Sequence, residues 1–178
     1  MSQWPQANAL LLQQVVQPLR AGPGKTLVAV HYGLFPYEAE SFRLSELGPL
    51  SLDAEVRLCF SDGTKLFVSW TQTAGWSETN SLAVAVSSFH CAGSLVYEDA
   101  SLLSNWTSCL GARLVAADVL GWLETPAFLR LKFEHASILI GVGYESGFGN
   151  ADRVIVRPHE DMWLDEAVVL WSSHAGGA

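Results

Sequence analysis

Apolar and polar residues alternate with a period of two in the stretch from Ala54 to Gln72. A period of two is typical of a β-strand that buries one of its faces. Asp62 and Gly63 divide the stretch into two arms, and an Asp-Gly pair accepts the positive φ angles of a tight turn. The pattern therefore predicts a β-hairpin. Its apolar positions are Val56, Leu58, Phe60, Leu66, Val68 and Trp70.

A second stretch with the same alternation runs from Ala127 to Tyr144, and a shift of about 73 positions aligns the two. The matching pairs are Ala54 and Ala127, Arg57 and Arg130, Leu58 and Leu131, Phe60 and Phe133, and Leu66 and Leu139. We interpret them as an internal repeat of two β units, about residues 25–98 and 99–172, inside a single domain of residues 1–178. Each unit alone would expose an apolar face, so we expect the two to share one core.

The rest of the chain predicts one short helix and several further strands. Leu11, Val15 and Leu19 recur at helical spacing within residues 8–20. Gly121 and Pro126 bound a predicted loop, and residues 90–104 have no regular pattern. The predicted fold class is α+β, mainly antiparallel β, with two similar β-hairpin units sharing one core and a short N-terminal helix. The additional predicted strands cover residues 26–32, 82–89, 114–120, 153–157 and 166–171.

The composition predicts a folded chain that carries few charges. Of 178 residues, 49% are hydrophobic and 16% are charged, and the formal net charge is -8. Lys and Arg form no cluster that could replace the counterions of a phosphate backbone, so we expect no nucleic-acid partner. No apolar run reaches the roughly 18 residues of a membrane span, and we predict neither a span nor a signal peptide. The negative charge suits a basic protein partner, or serves solubility alone.

The cysteines and the known catalytic motifs give no indication of an enzyme. Cys59, Cys91 and Cys109 are widely spaced and odd in number, which argues against a disulfide framework and favours a cytoplasmic location. No pair has the short spacing of a zinc site, so we expect no bound metal. The motifs G-x-S-x-G and H-E-x-x-H are absent, as is a dinucleotide-binding motif. We therefore expect no cofactor and no catalytic residue.

A polar segment near the C-terminus is the main candidate for binding. Residues 157–166 place four carboxylates around an apolar centre that includes Trp163. One interpretation is a solvated loop with Trp163 packed into the core, and the other is an acidic contact surface with an aromatic anchor. A tryptophan in a second polar segment, residues 72–80, and two glutamates after the first predicted strand extend the surface. The candidate partner-binding residues are Glu160, Asp161, Trp163, Asp165, Glu166, Trp76, Glu38 and Glu40.

The second half of the chain resembles a known class of proteins. Its motif is Trp106-x-x-Cys109-Leu110-Gly111-x-x-Leu114, followed by LRLKFEHASILIGVGY and ADRVIVRP, within residues 104–158. This stretch resembles small bacterial immunity proteins found beside polymorphic or type VI secreted toxins. The resemblance implies an acidic α+β or β-rich fold that binds one cognate toxin and blocks its active site. It carries over no individual binding residue.

Two functions from different classes fit these observations. The first is a non-catalytic, cytoplasmic immunity protein that masks the active site of a cognate toxin with a basic surface. The alternative is a small-ligand-binding or enzymatic β-barrel-like domain, in which Trp70, Tyr144 and Phe148 line an interior pocket. A large pocket with convergent polar groups would favour the second. The sequence leaves open whether the chain forms a homodimer.

Overall fold

A computed structural model describes residues 4–43, 51–72, 80–122, 125–142, 153–158 and 167–176. The helices are α1 (Trp4–Leu19), α2 (Pro36–Arg43) and α3 (Ser104–Thr107). The strands are β1 (Leu27–Leu34), β2 (Ser51–Leu52), β3 (Glu55–Phe60), β4 (Lys65–Gln72), β5 (Asn80–Ala85), β6 (Val96–Asp99), β7 (Leu114–Trp122), β8 (Thr125–Phe133), β9 (Ser137–Val142), β10 (Val154–Pro158) and β11 (Val168–Ser172). A turn of 3-10 helix follows at Ser173–Gly176.

The strands form two sheets. Sheet 1 has the order β5-β4-β3-β1-β6, and sheet 2 has the order β11-β7-β8-β9-β10-β2. Every strand pairing among the described residues is antiparallel. The predicted fold class, mainly antiparallel β with a short N-terminal helix, is confirmed. No helix in the described ranges is long and apolar enough to cross a membrane.

The apolar core lies between the inner faces of the two sheets. Side chains from β1, β3, β4 and β5 meet side chains from β7, β8, β9 and β10 in one continuous cluster. Helix α1 contacts β5 and β8, and it adds Val15, Val16 and Leu19 to the same cluster. Burial of one aliphatic side chain stabilises a fold by about 1.5–3 kcal/mol, so the shared core binds both sheets and the helix together.

The two predicted hairpins are β3–β4 in sheet 1 and β8–β9 in sheet 2. Their first arms correspond as predicted, but their second arms are offset by one residue. Leu58 pairs with Leu66 in the first hairpin, whereas Leu131 pairs with Ile138 in the second. The turn of the second hairpin, residues 134–136, is one residue shorter than residues 61–64. The predicted match of Leu66 with Leu139 is therefore wrong, because Leu139 lies on the opposite face of its strand.

The predicted loop between Gly121 and Pro126 is also wrong. Strand β7 continues to Trp122, and β8 begins at Thr125, so both residues belong to paired strands. Gly121 is required here by close packing, since a Cβ atom at this position would lie 1.9 Å from the backbone oxygen of Thr125. Pro126 lies near the start of β8, where a missing N–H is tolerated. Within the stretch predicted to be irregular, β6 pairs with β1.

One polar contact crosses the core. The indole Nε1 of Trp106 donates a 2.8 Å hydrogen bond to the hydroxyl of Tyr32, and both side chains are fully buried. This bond joins α3 to the centre of β1. A buried donor that loses its acceptor keeps its desolvation cost, so the pair constrains the position of α3.

We expect Tyr32→Phe to lower the free energy of unfolding by about 1–3 kcal/mol, because it leaves the buried indole N–H of Trp106 without an acceptor. Urea unfolding followed by tryptophan fluorescence measures the change. Tyr37→Phe is the matched control, since it removes a hydroxyl whose hydrogen bond is exposed, and it should cost less than about 1 kcal/mol. Equal losses in the two variants would contradict the role of the buried bond.

Candidate functional site

The outer face of sheet 1, turned away from the core, carries a group of polar side chains in three cross-strand rows. We call this surface the outer polar face. Its residues alternate along β1 and β3 with core positions such as Val30 and Leu58. Lys65 and Cys59 form the first row. The second row contains Phe67, Arg57, His31 and Asp99, and the third contains Glu55, Gly33 and Tyr97.

Glu55 is the buried anchor of this face, with no exposed surface. Its Oε2 accepts a 3.0 Å hydrogen bond from the backbone N–H of Phe89, and its Oε1 accepts a hydrogen bond from the hydroxyl of Tyr97. Burial and the bond to Glu55 raise the pKa of Tyr97. Gly33 permits this packing, because a Cβ there would lie 3.0 Å from Glu55 Cγ and 3.1 Å from Tyr97 Cε1. Glu55 therefore fixes the loop after β5 against the sheet.

Arg57 lies in the middle of the outer polar face. Its guanidinium carbon lies 4.1 Å from the centre of the Tyr97 ring, a cation-π contact. Its Nε is buried and has no hydrogen-bond partner among the described residues. The carboxylate of Glu55 is on the neighbouring row, but it accepts hydrogen bonds from Phe89 and Tyr97. Arg57 is thus oriented by an aromatic ring and retains a donor that no acceptor in the described part of the chain meets.

His31 lies across from Arg57 on β1, and its Nδ1 is 3.9 Å from the sulfur of Cys59. Desolvation and the charge of Arg57 lower the pKa of His31, while the charge of Asp99 opposes the shift. Asp99 itself accepts a 2.9 Å hydrogen bond from the backbone N–H of Ser101, and bonds from Ser101 lower the pKa of Asp99. At neutral pH the row therefore holds a neutral imidazole between a cation and an anion.

A group of aromatic side chains adjoins the outer polar face. We call Phe35, Tyr37, Phe89 and His90 the aromatic cluster. The rings of Phe35 and Tyr37 stack at 5.8 Å, and the ring of His90 meets Phe35 edge-on at 5.5 Å. Tyr37 is 65% exposed and Phe89 is 43% exposed. Exposed aromatic rings that lie near one another are typical of binding surfaces.

Two carboxylates hold the aromatic cluster in place. Glu38 accepts hydrogen bonds from the backbone N–H of Phe35 at 3.0 Å and of Asp53 at 2.9 Å. The bond to Phe35 resembles the return bond of a capping box at the start of α2. Burial raises the pKa of Glu38, although these two bonds oppose the shift. The side chain of Asp53 accepts the hydroxyl of Tyr37 and forms a 2.6 Å ion pair with Arg153. The hydrogen bond to Asp53 raises the pKa of the Tyr37 hydroxyl to about 12.

The structure describes only two of the predicted partner-binding residues. Glu38 is half-buried, and its carboxylate binds two backbone N–H groups. Glu40 is exposed on the same helix, and both belong to the segment that carries Tyr37. The predicted residues that lie outside the described ranges are Trp76, Glu160, Asp161, Trp163, Asp165 and Glu166.

Sequence analysis did not single out the aromatic cluster. Pro36 at the first position of α2 and Glu38 two residues later are a helix-start pattern that would have placed Tyr37 on an exposed first turn. No comparable pattern marks Phe89 or His90. The contact of His90 with Phe35 joins residues far apart in the chain, and the bond between Phe89 and Glu55 holds the loop that bears His90.

Asp118 on β7 forms a second titratable cluster, on the outer face of sheet 2. Asp118 is 2% exposed, and its Oδ2 accepts bonds from Arg130 at 2.5 and 2.8 Å and from Lys132 at 2.9 Å. Burial alone would raise the pKa of Asp118, but bonds from Ser172, Lys132 and Arg130 outweigh it and lower the pKa to about 2. The carboxylate is fully engaged, so the cluster stabilises sheet 2 and offers no free anion.

A cavity of about 380 Å³ lies between α1 and the β4–β5 edge of sheet 1. This volume is within the range of about 300–1,000 Å³ for small-molecule sites. Trp70 lines it, whereas Tyr144 and Phe148, the other two residues expected to line an interior pocket, lie outside the described residues. The described lining residues are Leu11, Gln14, Val15, Ser69, Trp70, Thr71, Leu82, Ala83, Val84, Phe89 and His90. The cavity is mostly apolar and shares Phe89 and His90 with the aromatic cluster.

The cysteines lie apart in the described part of the chain. Cys59 is half-buried, Cys91 is exposed and Cys109 is buried, and all three are free thiols. Burial raises the pKa of the Cys109 thiol. In the described ranges, no group of three or more His, Cys, Asp and Glu residues has an arrangement that could hold a metal ion.

Comparisons with known proteins identified no protein similar to this chain. A scan against models of protein families, a search of curated proteins and a search of solved structures each found no match to this chain. The candidate site therefore rests on the distances, burial and charges described above.

We expect the stability contributed by Asp118 to depend on pH. The pKa of its carboxyl is about 2 in the folded protein and 3.8 as a model value, so the contribution is complete above about pH 5 and is lost as the pH falls towards 2. Asp118→Asn should lower the free energy of unfolding at pH 7 by about 2 kcal/mol. Urea unfolding between pH 7 and pH 2.5 measures whether the difference from the parent protein shrinks on acidification.

Asp62→Asn provides the matched control for this measurement. Asp62 also has a pKa lowered to about 2, by its bond to Lys25, but it lies on an exposed turn. Solvent screens such a pair, so the loss should be smaller than that for Asp118→Asn. Equal losses of unfolding free energy in the two variants would show that burial does not strengthen the contribution of Asp118 to stability.

Proposed function

We propose that this protein is a non-catalytic binding protein that recognises one partner protein through the aromatic cluster and the carboxylates beside it. The observation that carries the proposal is the exposure of Tyr37 and Phe89 on segments that are held by hydrogen bonds. Aromatic side chains are enriched among the few residues that dominate the energy of protein interfaces. Tyr37 stacks on Phe35, and Phe35 meets His90, the neighbour of Phe89 in the chain.

The support beneath the cluster favours binding because it is organised before a partner arrives. Glu38 fixes the start of α2, Asp53 accepts the Tyr37 hydroxyl, and Glu55 fixes the Phe89 backbone. The indole Nε1 of Trp70 also donates a 3.1 Å hydrogen bond to the backbone oxygen of Asp53. A surface held in this way loses little conformational entropy on association.

Charge supports a basic partner. The chain has a formal net charge of -8, and Glu40 is exposed on the turn after Tyr37. Complementary charges around an interface raise association rates and disfavour acidic competitors. The acidic run that includes Glu160, Asp161, Asp165 and Glu166, with Trp163, and the separate Trp76 are further candidates for the same surface.

Within this class, we favour a cytoplasmic immunity protein that neutralises a cognate secreted toxin by masking its active site. The support comes from the resemblance of residues 104–158 to bacterial immunity proteins, from the negative net charge and from the exposed aromatic surface. A partner with a basic active-site cleft would be complementary to the carboxylates and rings of this region.

The cavity of about 380 Å³ favours one second candidate, a small-ligand-binding or enzymatic domain. Its mostly apolar lining and Trp70 suit an apolar ligand. Native mass spectrometry of the purified protein distinguishes the two functions. A small molecule retained at one-to-one stoichiometry, with no protein partner captured, would replace the first proposal with the second.

The binding proposal predicts that the tagged protein captures a basic protein at one-to-one stoichiometry from its own organism. Tyr37→Ala and Phe89→Ala should each weaken this complex at least tenfold, or about 1.4 kcal/mol, because each removes an aromatic anchor. Isothermal titration calorimetry with the purified partner gives the affinities. Charge reversal at Glu160, Asp161, Asp165 and Glu166 measures the contribution of the acidic run.

Leu102→Ala is the control for these variants. Leu102 is the most exposed of the large apolar residues that the structure describes, at 86%, and it lies outside the aromatic cluster. Its replacement should leave the affinity unchanged. A complex that tolerates both aromatic replacements, or one that is weakened as much by Leu102→Ala, would rule out the aromatic cluster as the contact surface.

A further inference from the structure

We propose that the outer polar face is also a binding site for a small oxyanion, a phosphate or a carboxylate group, held by Arg57, His31 and Lys65. This site is separate from the aromatic contact surface, and it does not depend on the nature of the protein partner. The geometry of three basic side chains on neighbouring strands carries the inference, together with the charges that surround them.

Most of the positive charges outside this face are paired. The chain has only ten Lys and Arg residues, and five of those elsewhere on the described surface are engaged by carboxylates. These ion pairs are Lys25–Asp62, Arg113–Glu134, Arg130–Asp118, Lys132–Asp118 and Arg153–Asp53. Among the described residues, neither Arg57 nor Lys65 forms an ion pair. Arg57 and Lys65 therefore combine two cations without a direct carboxylate partner on one face, where an added anion would be stabilised.

The Arg57 guanidinium has unused hydrogen-bonding capacity. It lies over the Tyr97 ring at 4.1 Å, a contact that orients it. Its buried Nε meets no acceptor among the described residues, so the protein itself does not satisfy the group. The guanidinium fork matches the paired oxygens of a carboxylate or a phosphate. The protein acceptor nearest along the chain, Glu55, is already bonded to Tyr97 and Phe89.

The sheet register brings the basic side chains together. His31 pairs directly with Arg57 across β1 and β3, and Lys65 pairs with Cys59 on the next row. Phe67, the partner of Arg57 on β4, is buried, and the half-buried Tyr97 contacts the guanidinium from the β6 side. The charges of both Arg57 and Lys65 act on His31.

Protonation of His31 couples to this site. The groups that face His31 are Arg57 and Cys59 on β3, Lys65 on β4 and Asp99 on β6. Desolvation and Arg57 keep the pKa of His31 low in the free protein. A bound oxyanion would offset the charge of Arg57 and favour the imidazolium form, so binding and protonation reinforce each other. Affinity should therefore fall as the pH rises through the pKa of His31 in the complex.

Nuclear magnetic resonance of the full chain tests the proposal. Inorganic phosphate and acetate are titrated separately at constant ionic strength, with chloride as the balancing anion. We expect saturable shifts of the Arg57 side-chain N–H resonances and of the His31 ring, and a rise in the pKa of His31. Saturation by phosphate alone identifies a phosphate site, and saturation by acetate as well identifies a general carboxylate and phosphate site.

Variants decide whether the response is specific. Arg57→Gln should weaken binding at least tenfold, and Lys65→Gln about threefold or more, because each removes one positive charge from the site. Arg113→Gln is the matched control, since Arg113 is exposed, is paired with Glu134 and is not one of the three residues of the site, and it should change nothing. If Arg57→Gln does not fold, Lys65→Gln decides alone, since Lys65 is exposed at the start of β4.

Two results would overturn the proposal. One is the absence of any change in the His31 pKa and the Arg57 resonance with either anion up to about 50 mM, a concentration that would expose even millimolar affinity. The other is equal weakening by Arg113→Gln and by the site variants, which would mean that the anions only screen surface charge.

Discussion

Mutual burial of two apolar inner faces is the constraint on which the rest of this structure depends. Neither sheet can cover its own inner face, and β3–β4 meets β8–β9 across the same core cluster. Helix α1 completes that cluster. The outer faces of the two sheets take no part in this core, and their side chains differ. The outer face of sheet 2 buries Phe128 and Leu139 and neutralises Asp118, whereas the outer face of sheet 1 keeps Arg57 and His31 partly open to solvent. Candidate functional chemistry therefore concentrates on one sheet.

The buried Glu55 and the half-buried Glu38 act as structural supports rather than as contact groups, unlike the exposed Glu40. Glu55 holds the backbone of Phe89, and Glu38 holds the backbone of Phe35. In both cases the carboxylate accepts bonds from a loop or a helix terminus, which satisfies the buried charge and fixes the segment that bears an aromatic ring. Removing either carboxylate would release an aromatic side chain, so a loss of binding in such a variant would report on positioning and not on direct contact.

The alternation of Val56, Leu58 and Phe60 was sufficient to predict β3–β4, and the same pattern predicted β8–β9, because a period of two leaves little choice of face. The loop predicted between Gly121 and Pro126 was wrong, because both residues are common in turns but here lie in two closely packed, paired strands. The functional surfaces were less accessible to prediction. The row that joins His31 to Arg57 exists only in the observed register of β1 and β3, and the contact of Phe35 with His90 joins distant segments. Neither follows from local pattern.

The unequal turns of the two hairpins bear on how this fold tolerates changes in chain length. A deletion of one residue inside an arm would exchange the core and solvent faces of every later position in that strand, and it would place polar side chains among Leu129 and Ile140. The same deletion within residues 61–64 or 134–136 leaves both arms in phase with the core. Insertions and deletions that survive selection in such a sandwich are thus expected at its turns. A residue-by-residue alignment of its two halves must accordingly place a gap there.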